Sequence, residues 1–367
     1  MDSLPSIHRA LVLEDHDEPT LQLQTLPIPQ PSTGSALVRI TAAAILPYHN
    51  AIYTSQRTSS LPKPLIPGFS AIGRIAAVGR DATLLKPGQL VYVDCVVRAR
   101  DDPSCFFLSA IYEGGSEGSK MLMRDAWRDG TFAEYARVPV ENCIVLKEDR
   151  LCAGLGYAEQ DLAYMAYMLV PYGGLRDIQL QAGETIIVCP ATGFYSSLGV
   201  QVAVAMGARV VAAGRNAEKM AALKGEIERH MPGAEIEMMT MTGDEDEDAG
   251  ALRVFGADAV LDMTPSTAGM ATHTKSAIKA LRRGGRVSLM GSTKNISVAE
   301  IMMNDITLKG KMMYEREAVV QFVKMVERGL FPMDCIETKA FSLENWKEGL
   351  YMGGKHNGIG KCVVLAP

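Results

Sequence analysis

The sequence predicts an α/β protein in which a doubly wound parallel sheet follows a β-rich domain. Three observations lead to this class. Residues 184–216, ETIIVCPATGFYSSLGVQVAVAMGARVVAAGRN, read as a buried strand, a small-residue turn, a helix and a second strand, which is the order of a nucleotide-binding crossover. From residue 161 onward, short apolar runs alternate with helical stretches, the pattern of a parallel sheet with covering helices. The first 150 residues instead carry short apolar or alternating runs punctuated by Pro31, Pro67, Gly68, Gly79, Pro87 and Gly88, as a compact β domain would.

Taken in order, the strands expected in the first part are 36–42, 72–78, 90–97 and 132–138. The polar, glycine-bearing segment 103–129 reads as a long loop, either a functional cover or mobile, expected beside the substrate cleft. An apolar helix follows residue 161. The strands of the parallel sheet are expected at 185–189, 210–213, 235–239, 259–263, 287–290 and 306–309. The acidic run 244–248 reads as a solvated loop. An amphipathic helix over 318–329 precedes mixed strand and turn structure, so the tail should pack back on the first domain.

The turn after the first parallel strand holds Ala191, Thr192, Gly193, Phe194, Tyr195 and Ser196. It is a variant of G-x-G-x-x-G with Ala191 in the first place and Ser196 in the last. Small residues are needed there because the backbone passes close to a pyrophosphate held at the next helix N-terminus. Thr192 and Ser196 either offer hydroxyls to that diphosphate or cap the helix. Tyr195 is placed to cover the cofactor. The second strand ends in Gly214, Arg215 and Asn216. An enzyme built for NAD usually carries an Asp or Glu at this point to accept from the ribose 2′-hydroxyl. Here that carboxylate is missing, Gly214 leaves room, and Arg215 offers a planar fork of donors suited to a phosphate. The expected cofactor is therefore NADPH.

Composition narrows the partners. A chain of 367 residues, 47% hydrophobic, is long enough for two domains with separate cores. Net charge is −5 and the basic residues are scattered, so there is no electrostatic footprint of a nucleic-acid binder. The start, residues 1–19, mixes charge and proline too early for a secretory signal, and the longest apolar run is too short for a bilayer. The reading is a soluble cytoplasmic protein with a small-molecule partner and no nucleic-acid or membrane partner. Seven cysteines, spread out and without a C-x-x-C pair, predict reduced, mostly buried thiols rather than disulfides or structural zinc.

Several stretches together resemble the medium-chain dehydrogenase/reductase superfamily, almost end to end. Residues 64–93, PLIPGFSAIGRIAAVGRDATLLKPGQLVYV, are similar to its glycine-punctuated barrel segment, and GTFAEY at 130–135 to its entry to the closing strand. RRGGRVSLMG from Arg282, ITLKG from Ile306 and GKCVVLAP from Gly360 resemble its later signatures. The resemblance implies a GroES-like catalytic domain formed by both chain ends, with a Rossmann domain between them. The implied bounds are 1–157, 158–313 and 314–367. It also implies that Gly291 and Ser292 meet the nicotinamide ribose, that Lys361 lies near the cofactor, and that the strand at 306–309 is the edge used in a homodimer.

The zinc alcohol dehydrogenases of that family place ligands where this chain has Leu46, Phe69 and either Met165 or Ala166. No metal is expected, and the chain is most similar to the zinc-free branch of quinone oxidoreductases and enoyl reductases. Without a Lewis acid for a developing alkoxide, a conjugated C=C or a quinone is the expected acceptor, since the electron pair delocalises. Pro47 matches that branch's loop, although its Asn and acid are absent. Tyr48 and His49 sit on the loop that the resemblance sets facing the nicotinamide, and either could donate a proton or polarise an oxygen. Tyr48 is favoured, with Tyr53 and Tyr195 as weaker candidates. Trp127, Met121, Met123, Met165 and Met168 form an adaptable pocket or ordinary core. The alternatives are reduction of an unconjugated ketone or aldehyde with Tyr48 and His49 replacing zinc, and a nucleotide-binding protein with little turnover.

Overall fold

The computed structural model describes residues 4–14, 21–53, 61–294 and 296–367, without the side chain of Asp334. The reading of the chain start falls partly outside these residues, at 1–3 and 15–19. Two compact units form, one of residues 1–166, 333–357 and 361–367, the other of 167–332 and 358–360. Among the described residues no helix is long and apolar enough to cross a membrane.

In the first unit, β1 (Ile7–Leu13) and β2 (Leu21–Pro27) form an antiparallel ribbon. The main sheet uses β3 (Ser35–Ala44), β4 (Ala71–Val78) and β5 (Leu90–Val93). Between β3 and β4 lies the short helix α1 (His49–Tyr53). The register of β3 against β4 shifts at Leu37/Val38 and Ile40/Ala42, and Gly73 sits opposite the bend, where a Cβ would come 2.5 Å from the Arg39 carbonyl oxygen. The run expected as one strand over 90–97 breaks at Asp94 and Cys95, and β6 (Val96–Arg98) pairs instead with β7 (Phe106–Leu108). The segment 103–129 is thus not a long irregular loop. It also contains α2 (Glu117–Met121), capped by the Ser116 hydroxyl, and a π-helical turn over Leu122–Ala126. The strands β8 (Tyr135–Pro139) and β9 (Cys143–Val145) close this stretch against β3 and β5.

The second unit starts within α3 (Met165–Asp177), at Tyr167, and builds one sheet from β10 (Thr185–Cys189), β11 (Arg209–Gly214), β12 (Ile236–Thr240), β13 (Ala259–Asp262), β14 (Arg286–Leu289) and β15 (Thr307–Gly310). All neighbours are parallel, in the order β12-β11-β10-β13-β14-β15. The central strands are buried beyond the first residue of β10 and of β11 because helices cover both faces. These are α4 (Phe194–Ala205), α5 (Ala217–His230), α6 (Glu245–Arg253), α7 (His273–Ala280), α8 (Val298–Met303) and α9 (Arg316–Glu327).

Two local expectations change here. The acidic run 244–248 is the cap and first turn of α6, not a solvated loop: Asp244 accepts from the backbone N–H of Asp246 and Glu247. Acidic side chains favour that end because the helix dipole is positive there. Asp248 is fully buried and accepts from the backbone N–H of Thr242 at 2.8 Å and of Gly243 at 3.0 Å. The second unit also runs past 313, the bound read from the sequence, because α9 buries Ala318, Val319, Phe322 and Val326 within it. The Phe322 ring lies 5.2 Å from Tyr172 and 4.8 Å from Phe331.

The returning chain adds β16 (Glu337–Phe341), α10 (Trp346–Lys355) and β17 (Lys361–Leu365) to the first unit. β16 runs parallel to β17, and β17 pairs antiparallel with β3. Both chain ends therefore build one β-rich domain around a core that includes Val38, Tyr53, Phe107, Phe132 and Leu365. All seven cysteines are free, and five of them are buried.

Candidate functional site

The turn between β10 and α4 has the geometry of an anion cradle. The Ala191 N–H donates to the Ala213 carbonyl at 2.8 Å, tying the turn to the end of β11. Gly193 caps α4 with extended backbone and no side-chain hydrogen bond. The first turn of a helix presents N–H groups beyond the reach of its own carbonyl ladder, and the dipole adds positive potential there. A Cβ on Gly193 would stand 3.1 Å from the Ser196 hydroxyl oxygen, so the small residue keeps the approach open. Ser196 is buried and Thr192 half-buried. Phe194 packs edge-on between Tyr167 at 5.2 Å and Tyr195 at 4.8 Å. These residues fit the diphosphate of a dinucleotide.

At the end of β11, Gly214 is buried, and a Cβ there would reach 3.2 Å from the Met220 sulfur. Arg215 is exposed. Asn216, placed in the cofactor set from the sequence, spends its side-chain oxygen on capping α5 through the Lys219 N–H at 2.8 Å. After β14, Gly291 presses against the opposite loop: its Cβ would lie 2.2 Å from the Thr264 nitrogen. The Ser292 N–H donates to the Thr264 carbonyl at 2.8 Å. Lys361 is the exposed first residue of β17, in the first unit.

One cluster was not singled out from the sequence. Asp262, at the carboxyl end of β13, is fully buried. Its Oδ1 accepts from the Thr264 N–H at 3.2 Å, from the Thr264 hydroxyl, and from the Thr274 hydroxyl at 2.8 Å. Its Oδ2 has no hydrogen-bond partner among the described residues. The His273 Nε2 lies 2.7 Å from the Thr264 hydroxyl oxygen. The available signal was a carboxylate ending an apolar strand, followed within a dozen residues by four threonines, Thr264 and Thr274 among them, and by His273.

In the first unit, Leu46 to Tyr53 form a turn and α1. The Leu46 N–H donates to Nδ1 of His49 at 3.2 Å, so the other ring nitrogen carries the hydrogen. That imidazole is wholly buried, 5.3 Å from the Tyr53 ring, 5.3 Å from Phe69 and 5.5 Å from Phe132. Burial pushes its pKa down to about 3. His49 is therefore a neutral group enclosed by aromatic rings, which removes the imidazolium that a proton donor at neutral pH requires. Tyr48 is only partly buried. Tyr53 is occupied: its hydroxyl donates to the Ala110 carbonyl at 3.0 Å and accepts from the Gly68 N–H at 3.3 Å. Burial raises its pKa.

Zinc does not fit the places where the resemblance sets its ligands. Leu46, Phe69 and Ala166 are buried hydrocarbons without a lone pair, and Phe69 meets the His49 ring edge-on instead. Met165, the other candidate for the third place, offers one thioether and is fully buried. Among the described residues no group of three His, Cys, Asp or Glu could hold a metal. Of the residues read as an adaptable pocket, Met123, Met165 and Met168 are fully buried, whereas Met121 is exposed. Trp127 carries the Arg137 guanidinium 5.5 Å above its ring.

Two family models match this chain, an alcohol dehydrogenase GroES-like domain over residues 32–148 and a zinc-binding dehydrogenase over residues 196–328. An L-threonine 3-dehydrogenase of Symbiobacterium thermophilum is 28% identical over 301 residues, covering 80% of this chain and 79% of the relative. An acryloyl-coenzyme A reductase of Metallosphaera sedula is 23% identical over 363 residues, covering 97% and 99% respectively. Among solved structures, a putative zinc-binding dehydrogenase of Sinorhizobium meliloti bound to NADP superposes with a TM-score of 0.73. It shares 19% identity, and 99% of this chain and 100% of that one are covered.

Proposed function

Because the chain belongs to the medium-chain dehydrogenase/reductase superfamily of oxidoreductases, we propose that it is a zinc-independent NADPH-dependent reductase of a conjugated C=C bond or a quinone in a small organic substrate. The observation that carries this reading is the hydrocarbon lining at Leu46 and Phe69. With no Lewis acid, stabilisation of a bare alkoxide falls to hydrogen-bond donors alone, whereas an enone or quinone spreads the incoming charge over its own conjugated system.

The reduced nicotinamide, when bound, supplies a hydride. The chain's share is to hold the diphosphate at the N-terminus of α4, on the turn whose first N–H, at Ala191, is tied to β11, to select the phosphorylated ribose at Arg215, and to provide a proton. The substrate's β-carbon gains the hydride, the C=C pair shifts to join the α-carbon and the carbonyl carbon while the carbonyl π pair moves to the oxygen, and the α-carbon of that enolate then takes a proton as the carbonyl re-forms. Tyr48 is the donor in this reading, since its phenol is partly accessible while His49 is enclosed and neutral. The open sheet edge at β15 supports a homodimer.

A second reading, reduction of an unconjugated ketone or aldehyde, is favoured by the dehydrogenase relatives. Anaerobic NADPH oxidation against a panel of enones, quinones, ketones and aldehydes separates the two, with products identified by mass. Saturated carbonyls or hydroquinones, formed equally with and without a chelator, are expected. Alcohol products that disappear on chelation would overturn the proposal, and binding without turnover across the panel would leave a nucleotide-binding protein. In the same assay Tyr48→Phe should lower kcat about 100-fold, the lower end for general acid catalysis, with NADPH affinity unchanged. An unaltered kcat removes Tyr48 from the mechanism.

A further inference from the structure

We infer that His273 is a second specificity-determining residue for the cofactor, reading the 2′-phosphate together with Arg215 from a tautomer set by Thr264 and Asp262. The inference rests on the NADPH reading and deepens it. β11, β10 and β13 are adjacent and parallel, so Arg215, the Ala191–Ser196 turn and Asp262 all lie at the carboxyl ends of neighbouring strands. His273 opens α7 beside them, its ring only half-buried.

The hydrogen bonds decide which ring nitrogen is available. The Thr264 hydroxyl has one hydrogen, and its short contact with Asp262 Oδ1 uses it. Toward His273 Nε2, 2.7 Å away, that oxygen can only accept. Nε2 therefore carries a hydrogen, and Nδ1 is the atom that gains or loses a proton. Protonated, the ring is a second cation beside the guanidinium.

Burial lowers the His273 pKa most, Asp262 raises it, and the Arg215 charge lowers it again. Hydrogen bonds tie the two places together: the Thr272 hydroxyl, next to His273, donates to the Gly243 carbonyl at 2.9 Å, and the Met241 N–H donates to the carbonyl of Gly214, next to Arg215, at 3.0 Å. Lys275, Asp244 and Asp248, on the elements packed nearby, are engaged elsewhere. Lys275 lies 3.8 Å from Glu245, Asp244 caps α6, and Asp248 accepts from Thr242 and Gly243. The Cys189 thiol faces the His273 carbonyl oxygen at 3.9 Å rather than the ring. A 2′-phosphate, carrying about −1.5 to −2 charges near neutrality, offsets the Arg215 charge and draws a proton onto Nδ1. Binding of a 2′-phosphorylated adenosine should take up a proton, and binding of the unphosphorylated one should not.

The experiment is isothermal titration of the full-length protein with 2′,5′-ADP and with AMP at neutral pH, in two buffers of different ionisation enthalpy. Wild type should take up a fraction of a proton with 2′,5′-ADP and none with AMP. His273→Gln should abolish that uptake and weaken 2′,5′-ADP binding roughly tenfold, the size of one lost charged hydrogen bond. Thr264→Val, which leaves the imidazole in place but removes its acceptor, should reduce the uptake without abolishing it. Thermal unfolding and AMP binding report whether each variant retains its fold. Equal proton uptake in wild type and His273→Gln overturns the inference, as does equal affinity for 2′,5′-ADP. If wild type does not prefer 2′,5′-ADP over AMP, the NADPH reading fails as well. If Arg215→Ala removes the preference and His273→Gln does not, the failure is confined to His273.

Discussion

Replacing Arg215 by Ala is expected to raise the NADPH dissociation constant by about 1.5–3 kcal/mol, roughly 10- to 150-fold, with little change for NADH. The asymmetry follows from position. β11 ends at the buried Gly214, which has no side chain to fill the space, and the next side chain is an exposed guanidinium. The following residue, Asn216, is neutral and capping α5, so no carboxylate is placed at that strand end to bind an unphosphorylated ribose. Arg215→Lys should fall between the two, because it keeps the charge but loses the fork that matches a phosphate. Fluorescence titration with both reduced cofactors measures the effect. Equal losses for NADPH and NADH would reject the phosphate role.

A large stability effect is expected at Gly291→Ala. A Cβ there would lie 2.2 Å from the Thr264 nitrogen, 2.7 Å from its carbonyl oxygen and 2.8 Å from Asp262 Oδ2. A Cβ has no rotamer through which to escape, and two of the three obstacles are backbone atoms. The loops must separate, at a cost of about 3 kcal/mol, the upper end for overpacking. The shift also displaces the strand end that holds Asp262 and Thr264. Gly225→Ala is the control: it lies within α5, exposed, and a Cβ there would meet nothing within 4 Å. That change should stabilise by roughly 0.5–1 kcal/mol through helix propensity. Thermal unfolding of the pair decides it, since a Gly291→Ala protein melting like wild type would mean that the loops are not in contact.

Much of the second unit was legible because its chemistry is local. The β-branched run 185–189 is found as a strand with those bounds, and 210–213 extends by one residue at each end to Arg209–Gly214. A strand buried on both faces needs an unbroken apolar run, which the eye can follow. The first unit was harder. β1 and β2 were missed, β2 because it alternates buried and exposed residues only loosely. The run at 90–97 hid a break after Val93, where the Asn142 side-chain amide donates to the Asp94 and Val96 carbonyls at 2.9 and 3.0 Å and the chain turns to pair with β7. The acidic run was misplaced because a capping cluster and a solvated loop have the same composition.

The candidate site divides in the same way. By itself the sequence determined the strand-turn-helix order, the small residues at Gly193 and Gly214, the cation at Arg215 and the hydrocarbons at Leu46 and Phe69, because each is a property of one position and its immediate neighbours. Only the tertiary structure decided that His49 is walled in by Tyr53, Phe69 and Phe132, and that His273, Thr264 and Asp262 form one hydrogen-bonded chain. Those contacts join the ends of separate elements. Periodicity states which face of a strand or helix is buried, but the hydrogen-bond partners and ring neighbours that set a proton's place depend on which elements come together.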